Sequence, residues 1–251
     1  MATLPFLRSR WVRRLGRLAA WLALALGLLV AAGWFAFARD LPSVDQLRTY
    51  EAPLPTNIRD DTGMPLQSYA RERRVELSFD EYPKLLVAAF ISAEDKTFFR
   101  HHGVDFPGVA SAIWDNLTSN KRPRGASTIT QQVAKNLLVG NERSYARKLR
   151  EAILAYRIEM TLTKPQILEL YLNQIALGRN AFGVEAAAHA YFDKEPAELS
   201  LAQVAYLAIL PKGPSNYDPL RHPDRALERR AYVLREMAAN GYITPARAAA
   251  A

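Results

Sequence analysis

The sequence predicts a mainly α-helical protein, with one membrane-crossing helix near its N-terminus and a small β element ahead of the helical body. Three observations carry this. Leu18 to Ala38 contains no charged residue, and at about 1.5 Å of rise per residue such a helix spans a hydrocarbon core of about 30 Å. From Asn57 to Phe79 apolar and polar residues alternate loosely around the turn signal Asp61-Thr-Gly63. From Asp80 onward apolar residues recur at three- and four-residue spacing, punctuated by Gly, Pro and capping residues.

The N-terminal segment accounts for most of the charge. Arg8, Arg10, Arg13, Arg14 and Arg17, with no acidic residue before Ala38, supply five of the eight net positive charges. The rest is spread over residues 39–251, with no zinc-finger spacing and no basic zipper helix, which excludes nucleic acid as the expected partner. The arginines precede the apolar run. The positive-inside rule therefore leaves residues 1–17 as a basic cytoplasmic tail, 18–38 as the anchor and the bulk of the chain outside. Ala36-Phe37-Ala38 offers a small-x-small cleavage site, the alternative being a signal peptide. The apolar run exceeds the roughly 7–15 residues of a signal h-region, which favours an uncleaved anchor. The chain has no cysteine, which fits export and excludes thiol catalysis and thiolate-held metals. Of the four histidines only His101 and His102 are adjacent, so no metal ligand is expected.

Residues 39–82 read as a connector, punctuated by Pro42, Pro53 and Pro55, followed by the β element. Strands are expected at Ile58-Arg59 and Leu66–Tyr69, with a third at Val75–Phe79. Asp80 is an N-cap candidate, and Pro83 suits a first helical turn. The first helix is expected from Pro83 to Phe99, closed by Gly103. Asp105 caps a second, with Pro107 in its first turn, running to Leu117. A basic, breaker-rich loop follows at 119–125. Helices are then expected near 127–138, 143–162, 164–177, 182–192, 198–210 and 223–239, in a body spanning 83–242. Residues 243–251 read as the start of a linker or a truncated tail.

Chemistry concentrates in three stretches. On the first helix Val87, Phe90, Ile91 and Phe98 share a face with Glu94. Burial disfavours an ionised carboxylate, so Glu94 is either a buried ion-pair partner or a general base aimed into a cleft. In the second stretch Thr128, Gln131, Gln132 and Lys135 oppose Ile129, Val133 and Leu137. That polar face is either solvated or suited to sugar and phosphate oxygens, with free N–H groups at its Gly125-Ala-Ser127 entry. In the third, Arg147 and Glu151 form either a surface pair or part of a cleft. Glu151 lies with Ala155, Ile158 and Leu162, and Leu149, Ile153, Tyr156 and Met160 form a second apolar face that predicts a central helix. Two carboxylates with cationic neighbours suit chemistry at an anomeric carbon.

Glu94-Asp-x-x-Phe98-x-x-His-x-Gly-x-Asp105, Gly125-x-Ser-Thr-Ile-Thr-Gln-Gln-x-Ala-Lys-Asn136 and Arg147-Lys-x-x-Glu151-Ala together resemble the ordered motifs of the peptidoglycan glycosyltransferases of family 51. Ile167-Leu-Glu-Leu-Tyr-Leu-Asn173, Phe182-Gly-Val-Glu-Ala-Ala187, Leu207–Pro214 and Arg229-Arg-x-x-Val-Leu234 extend the likeness over residues 56–242. The part ahead of the first motif resembles class A penicillin-binding proteins.

The resemblance implies a lysozyme-like α domain that polymerises lipid II at the outer face of the bacterial cytoplasmic membrane. Glu94 would be the base that deprotonates a GlcNAc 4-hydroxyl. That oxygen would attack C1 of a lipid-pyrophosphate-linked MurNAc with inversion, Glu151 assisting at the leaving group or orienting its cations. Ser127, Thr128, Gln131, Gln132, Lys135, Asn136, Arg147 and Lys148 would hold sugar and pyrophosphate. Asp95 and Phe98 would belong to the same binding region, shaping the first motif. No cofactor is implied as obligatory; a divalent cation, Mg²⁺ or Mn²⁺, at the pyrophosphate is left open. Expected partners are lipid II, the growing glycan strand and the bilayer, with cell-wall synthesis or division proteins as further candidates. The surface around Ala176–Phe192, with the 119–125 loop, is the expected membrane-lying region.

The chain departs from the pattern at His102, where many relatives carry proline. It also lacks the Ser-x-x-Lys, Ser-x-Asn and Lys-Thr-Gly elements of a transpeptidase. No β-lactam reactivity is therefore expected, and the chain reads as either a fragment of a bifunctional enzyme, the favoured reading, or a shortened form. Two other functions compete. A lytic hydrolase would use the same glutamates but needs neither a polyprenyl substrate nor an anchor, and the Arg147-Lys148 pair favours a pyrophosphate donor. A non-catalytic scaffold would not need both glutamates intact.

Overall fold

The computed structural model describes residues 10–50, 56–62, 64–69, 75–118, 125–140 and 144–251. It divides into two compact units, one ending at Pro42 and the other comprising Ser43–Ala251. In the first, α1 (Arg10–Ala38) is one uninterrupted helix. Its segment Arg13–Phe35 is long and apolar enough to cross a membrane, with mean hydropathy 2.1 and no residue buried. An apolar surface all round suits hydrocarbon rather than water.

The second unit is mainly α. It opens with an antiparallel hairpin, β1 (Thr56–Arg59) against β2 (Pro65–Tyr69), registered Asn57 to Ser68 and Ile58 to Gln67. Asp60 organises the turn: its Oδ1 accepts from Thr62 N at 3.0 Å and Met64 N at 2.7 Å. The expected turn at Asp61-Thr-Gly63 is thus anchored one residue earlier, and Gly63 itself lies outside the described residues.

No third strand forms at Val75–Phe79. Residues 75–78 are extended without a ladder and lead into a 3-10 turn at Phe79–Glu81. The Asn173 side chain takes the place of a neighbouring strand. Its Oδ1 accepts from Leu77 N at 3.0 Å and its Nδ2 donates to Leu77 O at 2.8 Å, satisfying backbone groups that a sheet would otherwise satisfy.

Helix α2 (Lys84–Glu94) stops well short of the expected Phe99. Asp95, at φ −156° and ψ 77°, leaves the helical path, because its carboxylate is held elsewhere in the fold. Asp105 caps α3 (Phe106–Thr118) as expected, accepting from Gly108 N at 3.0 Å. Then follow α4 (Ile129–Ala134), which continues into a π turn over Lys135–Val139, and α5 (Tyr145–Thr161), capped by Ser144. Helix α6 (Lys164–Gln174) carries Pro165 in its first turn.

The chain next forms a second hairpin in place of the expected helix ends. Strands β3 (Ala176–Gly178) and β4 (Ala181–Phe182) are joined through Arg179 and Asn180, both at positive φ, the geometry of a tight two-residue turn. Helices α7 (Val184–Phe192), α8 (Leu201–Leu207), α9 (Pro223–Ala239) and α10 (Pro245–Ala250) complete the unit.

The core gathers Leu86, Phe90 and Ile91 of α2, Ile129 of α4, Leu154 and Ile158 of α5, and Ile167, Leu168, Tyr171 and Leu172 of α6. Phe90 meets Tyr171 edge to face at 6.2 Å. Two sequence expectations fail here. Only one face of α5 is buried: Leu149, Tyr156 and Met160 are exposed, and of that second apolar face only Ile153 is covered. The stretch Ala176–Phe192 is largely core, with Leu177, Val184, Ala187 and Ala188 fully buried, because the hairpin folds it inward. It is therefore no membrane-lying surface, and most of its proposed companion, the 119–125 loop, lies outside the described residues. Exposed apolar side chains lie instead on α3, where Phe106, Ile113, Trp114 and Leu117 share one helical face.

Candidate active site

The end of α2 and the start of α4 are tied together by one buried carboxylate. Asp95 accepts from Ile129 N at 3.0 Å and pairs with His101 Nε2 at 2.9 Å. Thr128 adds a second tie, its hydroxyl donating to Gly103 O at 2.6 Å. Gly103 is at φ +89°, and a Cβ there would lie 2.6 Å from the Ala155 backbone, so the loop can press against α5 only without a side chain. Behind it Lys164 Nζ donates to His101 O at 2.8 Å and to Glu159 Oε1 at 2.7 Å, and lies 4.2 Å from the centre of the Phe98 ring. This scaffold sets where α2 ends, and so where Glu94 points.

Glu94 is half-buried, and its Oε2 accepts from Gln132 Nε2 of α4 at 2.8 Å. Burial pushes its pKa up. The Gln132 hydrogen bond and the cations Arg229 and Lys212 pull it back, while Asp95 adds to the rise. A carboxylate of increased proton affinity, held by one hydrogen bond beside two cations, is suited to accept a proton from a hydroxyl.

On α5, Glu151 is 1% exposed. Arg147 Nη1 holds one of its oxygens, and Lys148 Nζ holds the other at 2.7 Å. Lys148 also donates to Ser127 Oγ at 2.6 Å, at the entrance to α4. Burial, then the neighbouring charges of Arg147 and Lys135, lowers the Lys148 pKa, while Arg147 and Lys148 hold the Glu151 carboxylate from both sides. Arg147 and Arg229 each keep a buried Nε with no hydrogen-bond partner among the described residues. Both are donors suited to phosphate oxygens. Both Glu151 oxygens are thus engaged by cations.

Helix α4 is thus the shared wall, with Gln132 on Glu94 and Ser127 linked through Lys148 to Glu151. Not every expected binding residue faces this region with a free group. Thr128 and Gln131 cap α4 reciprocally: Thr128 N donates to Gln131 Oε1 at 3.0 Å, and Gln131 N donates to Thr128 Oγ1 at 3.1 Å. Asp95 and Phe98 are buried supports. Asn136 is exposed on the π turn. Arg229 and Lys212 are additions that residue spacing alone did not single out. A cavity of about 320 Å³ lies elsewhere, walled by Tyr191, Phe192, Tyr206 and Leu227, and neither Glu94, Gln132 nor Glu151 lines it.

A family model described as Transglycosylase matches residues 62–238. The chain belongs to that family. Among curated relatives, penicillin-binding protein 1A of Neisseria flavescens is 49% identical over 204 residues, covering 81% of this chain and 26% of its own. Penicillin-binding protein 1A of Rickettsia felis is 48% identical over 211 residues, covering 83% of this chain and 27% of its own. The transglycosylase chain therefore spans about a quarter of the length of these relatives. A crystal structure of penicillin-binding protein 1A from Haemophilus influenzae aligns with 80% of this chain and 20% of that chain, at 26% identity and a TM-score of 0.46.

Proposed function

We propose that this chain is a peptidoglycan glycosyltransferase that polymerises lipid II into glycan strands. The observation that carries the reading is the pairing of Glu94, its proton affinity raised by burial, with a cationic clasp around Glu151 across the same helix. Glu94 removes the proton from the 4-hydroxyl of an acceptor GlcNAc. The freed oxygen bonds to C1 of the donor MurNAc from the face opposite the leaving group, inverting that centre. The C1–O bond breaks, and the polyprenyl pyrophosphate departs with the electron pair. Arg147, Lys148 and Lys135 meet the charge that develops on it, where preorganised cations lower the barrier most.

Helix α1 serves as the anchor in the bacterial cytoplasmic membrane, with the catalytic unit on the outer side and the arginines within. The exposed face of Phe106, Ile113, Trp114 and Leu117 on α3 supports contact with the bilayer surface, where the lipid tail of the substrate stays. Lipid II, the growing strand and the bilayer are the partners this reading requires.

The test is polymerisation of purified lipid II by the detergent-solubilised or liposome-embedded protein. Long glycan strands are expected from the wild type and none from Glu94→Gln, whose circular dichroism should match the parent. Cleaved glycan alone from the wild type, or undiminished polymerisation by Glu94→Gln, would reject the reading.

A further inference from the structure

A second cluster of chemistry-bearing groups lies at the end of α7. Glu185 and His189 are four residues apart and project from one side of the helix. Asp193, at φ 53°, then turns the chain, and Glu195 returns to the same side. His189 Nε2 lies 3.1 Å from Glu185 Oε1 and 3.3 Å from Glu195 Oε1. One ligand-type atom from each of the three residues falls within 4.8 Å of the others. A tetrahedral site with metal–ligand distances of about 2.0–2.1 Å has donor–donor edges of about 3.3 Å. The two measured separations are close to that edge.

Such separations also suit hydrogen bonds, so spacing alone does not decide. Glu185 does. It is 4% exposed, yet its Oε2 is buried with no hydrogen-bond partner among the described residues. A carboxylate oxygen shut away from water without a donor is costly. The single proton of His189 Nε2 is already placed between two carboxylates and reaches Oε1 only. A cation gripped by both Glu185 oxygens would satisfy the orphan as well. His189 and Glu195 are partly open to solvent, with side chains 43% and 61% exposed, which leaves a route of entry and room for a water ligand.

We propose that Glu185, His189 and Glu195 bind one divalent transition-metal ion of Zn²⁺ character, tying the end of α7 to the turn that precedes Pro196. One imidazole with two carboxylates suits Zn²⁺. Mg²⁺ prefers an octahedron of oxygens and keeps most of its water. The ion is structural, because none of its ligands belongs to the catalytic region, and the proposal is independent of the chemistry assigned to Glu94.

The experiment uses the full chain without an affinity tag, in detergent, stripped with chelator and titrated with Zn²⁺ against a chromophoric competitor. One Zn²⁺ per chain is expected, with a higher thermal midpoint when it is bound and no such rise with Mg²⁺. His189→Gln and Glu195→Gln alter exposed side chains and should melt like the parent in chelator. Each should weaken Zn²⁺ binding by on the order of tenfold or more. X-ray absorption at the zinc edge should show one imidazole among oxygen donors. Absence of stoichiometric uptake, equal response to Mg²⁺, or unchanged affinity in both variants would overturn the proposal, the last by assigning uptake to other histidines.

Discussion

Gln132 Nε2 donates to Glu94 Oε2 at 2.8 Å, joining α4 to the end of α2. This bond favours the ionised carboxylate and works against the upward push of burial. Gln132→Leu removes it, so the Glu94 pKa should climb further. The acid limb of the pH–rate profile for lipid II polymerisation should then move to higher pH, and the maximal rate should fall. An unmoved limb would place the titration on another group.

The raised Glu94 pKa also has a stability signature. Between the ordinary value of 4.5 and its raised value the folded chain keeps a proton that the unfolded chain has lost, so the wild type loses stability as pH rises through that window. Glu94→Gln carries no titrating group. It should match the wild type at acid pH and exceed it in thermal midpoint above the window, while being inactive. Equal midpoints at neutral pH would show that Glu94 is not desolvated in the folded protein.

Replacing Glu151 should cost both rate and stability. Glu151→Gln leaves Arg147 and Lys148 facing each other without a counter-charge. A loss of roughly 1–3 kcal/mol is expected by denaturant titration, the range for abandoning a buried charge-assisted hydrogen bond. Polymerisation should fall strongly. A normal rate with lowered stability would reduce Glu151 to a structural ion-pair partner.

Asn173 stands in for a missing strand. Asn173→Ala strips Leu77 of both backbone partners and Tyr82 of the acceptor its hydroxyl reaches at 2.7 Å. A loss of about 1–3 kcal/mol is expected, and amide exchange at Leu77 should quicken relative to the core of α6.

The helical body was legible because its periodicity, caps and breakers agree: Asp105, Ser144 and Pro165 do what their residue types predict. Glu94 and Glu151 were visible as carboxylates on apolar helix faces, Gln132 as part of a polar helix face, and Arg147 and Lys148 through the motif they share with Glu151. What escaped depends on contacts distant in the chain. The early end of α2 follows from Asp95 reaching Ile129, and the missing strand at 75–79 from Asn173. The β3–β4 hairpin turns through Arg179 and Asn180, and an arginine gives no local signal for a left-handed turn. Thr128 and Gln131 looked like ligand-binding groups, yet their side chains cap a helix. The same hydroxyl and amide chemistry serves both purposes, and only the partners distinguish them. Arg229 and Lys212 act on Glu94 through space, which no window of sequence can reveal.

The break in α2 at residue 94 carries a further consequence. A helix concentrates partial negative charge on its final, unbonded carbonyls, and the terminal position places the Glu94 carboxyl within that field. The backbone itself thus discourages an anion there, in the same direction as exclusion of water. A substitution that let the helix wind on through Asp95 would carry that field past Glu94 and free the Asp95 carboxylate from Ile129 N, so the electrostatics at Glu94 and the tie to α4 both rest on one bend in the main chain.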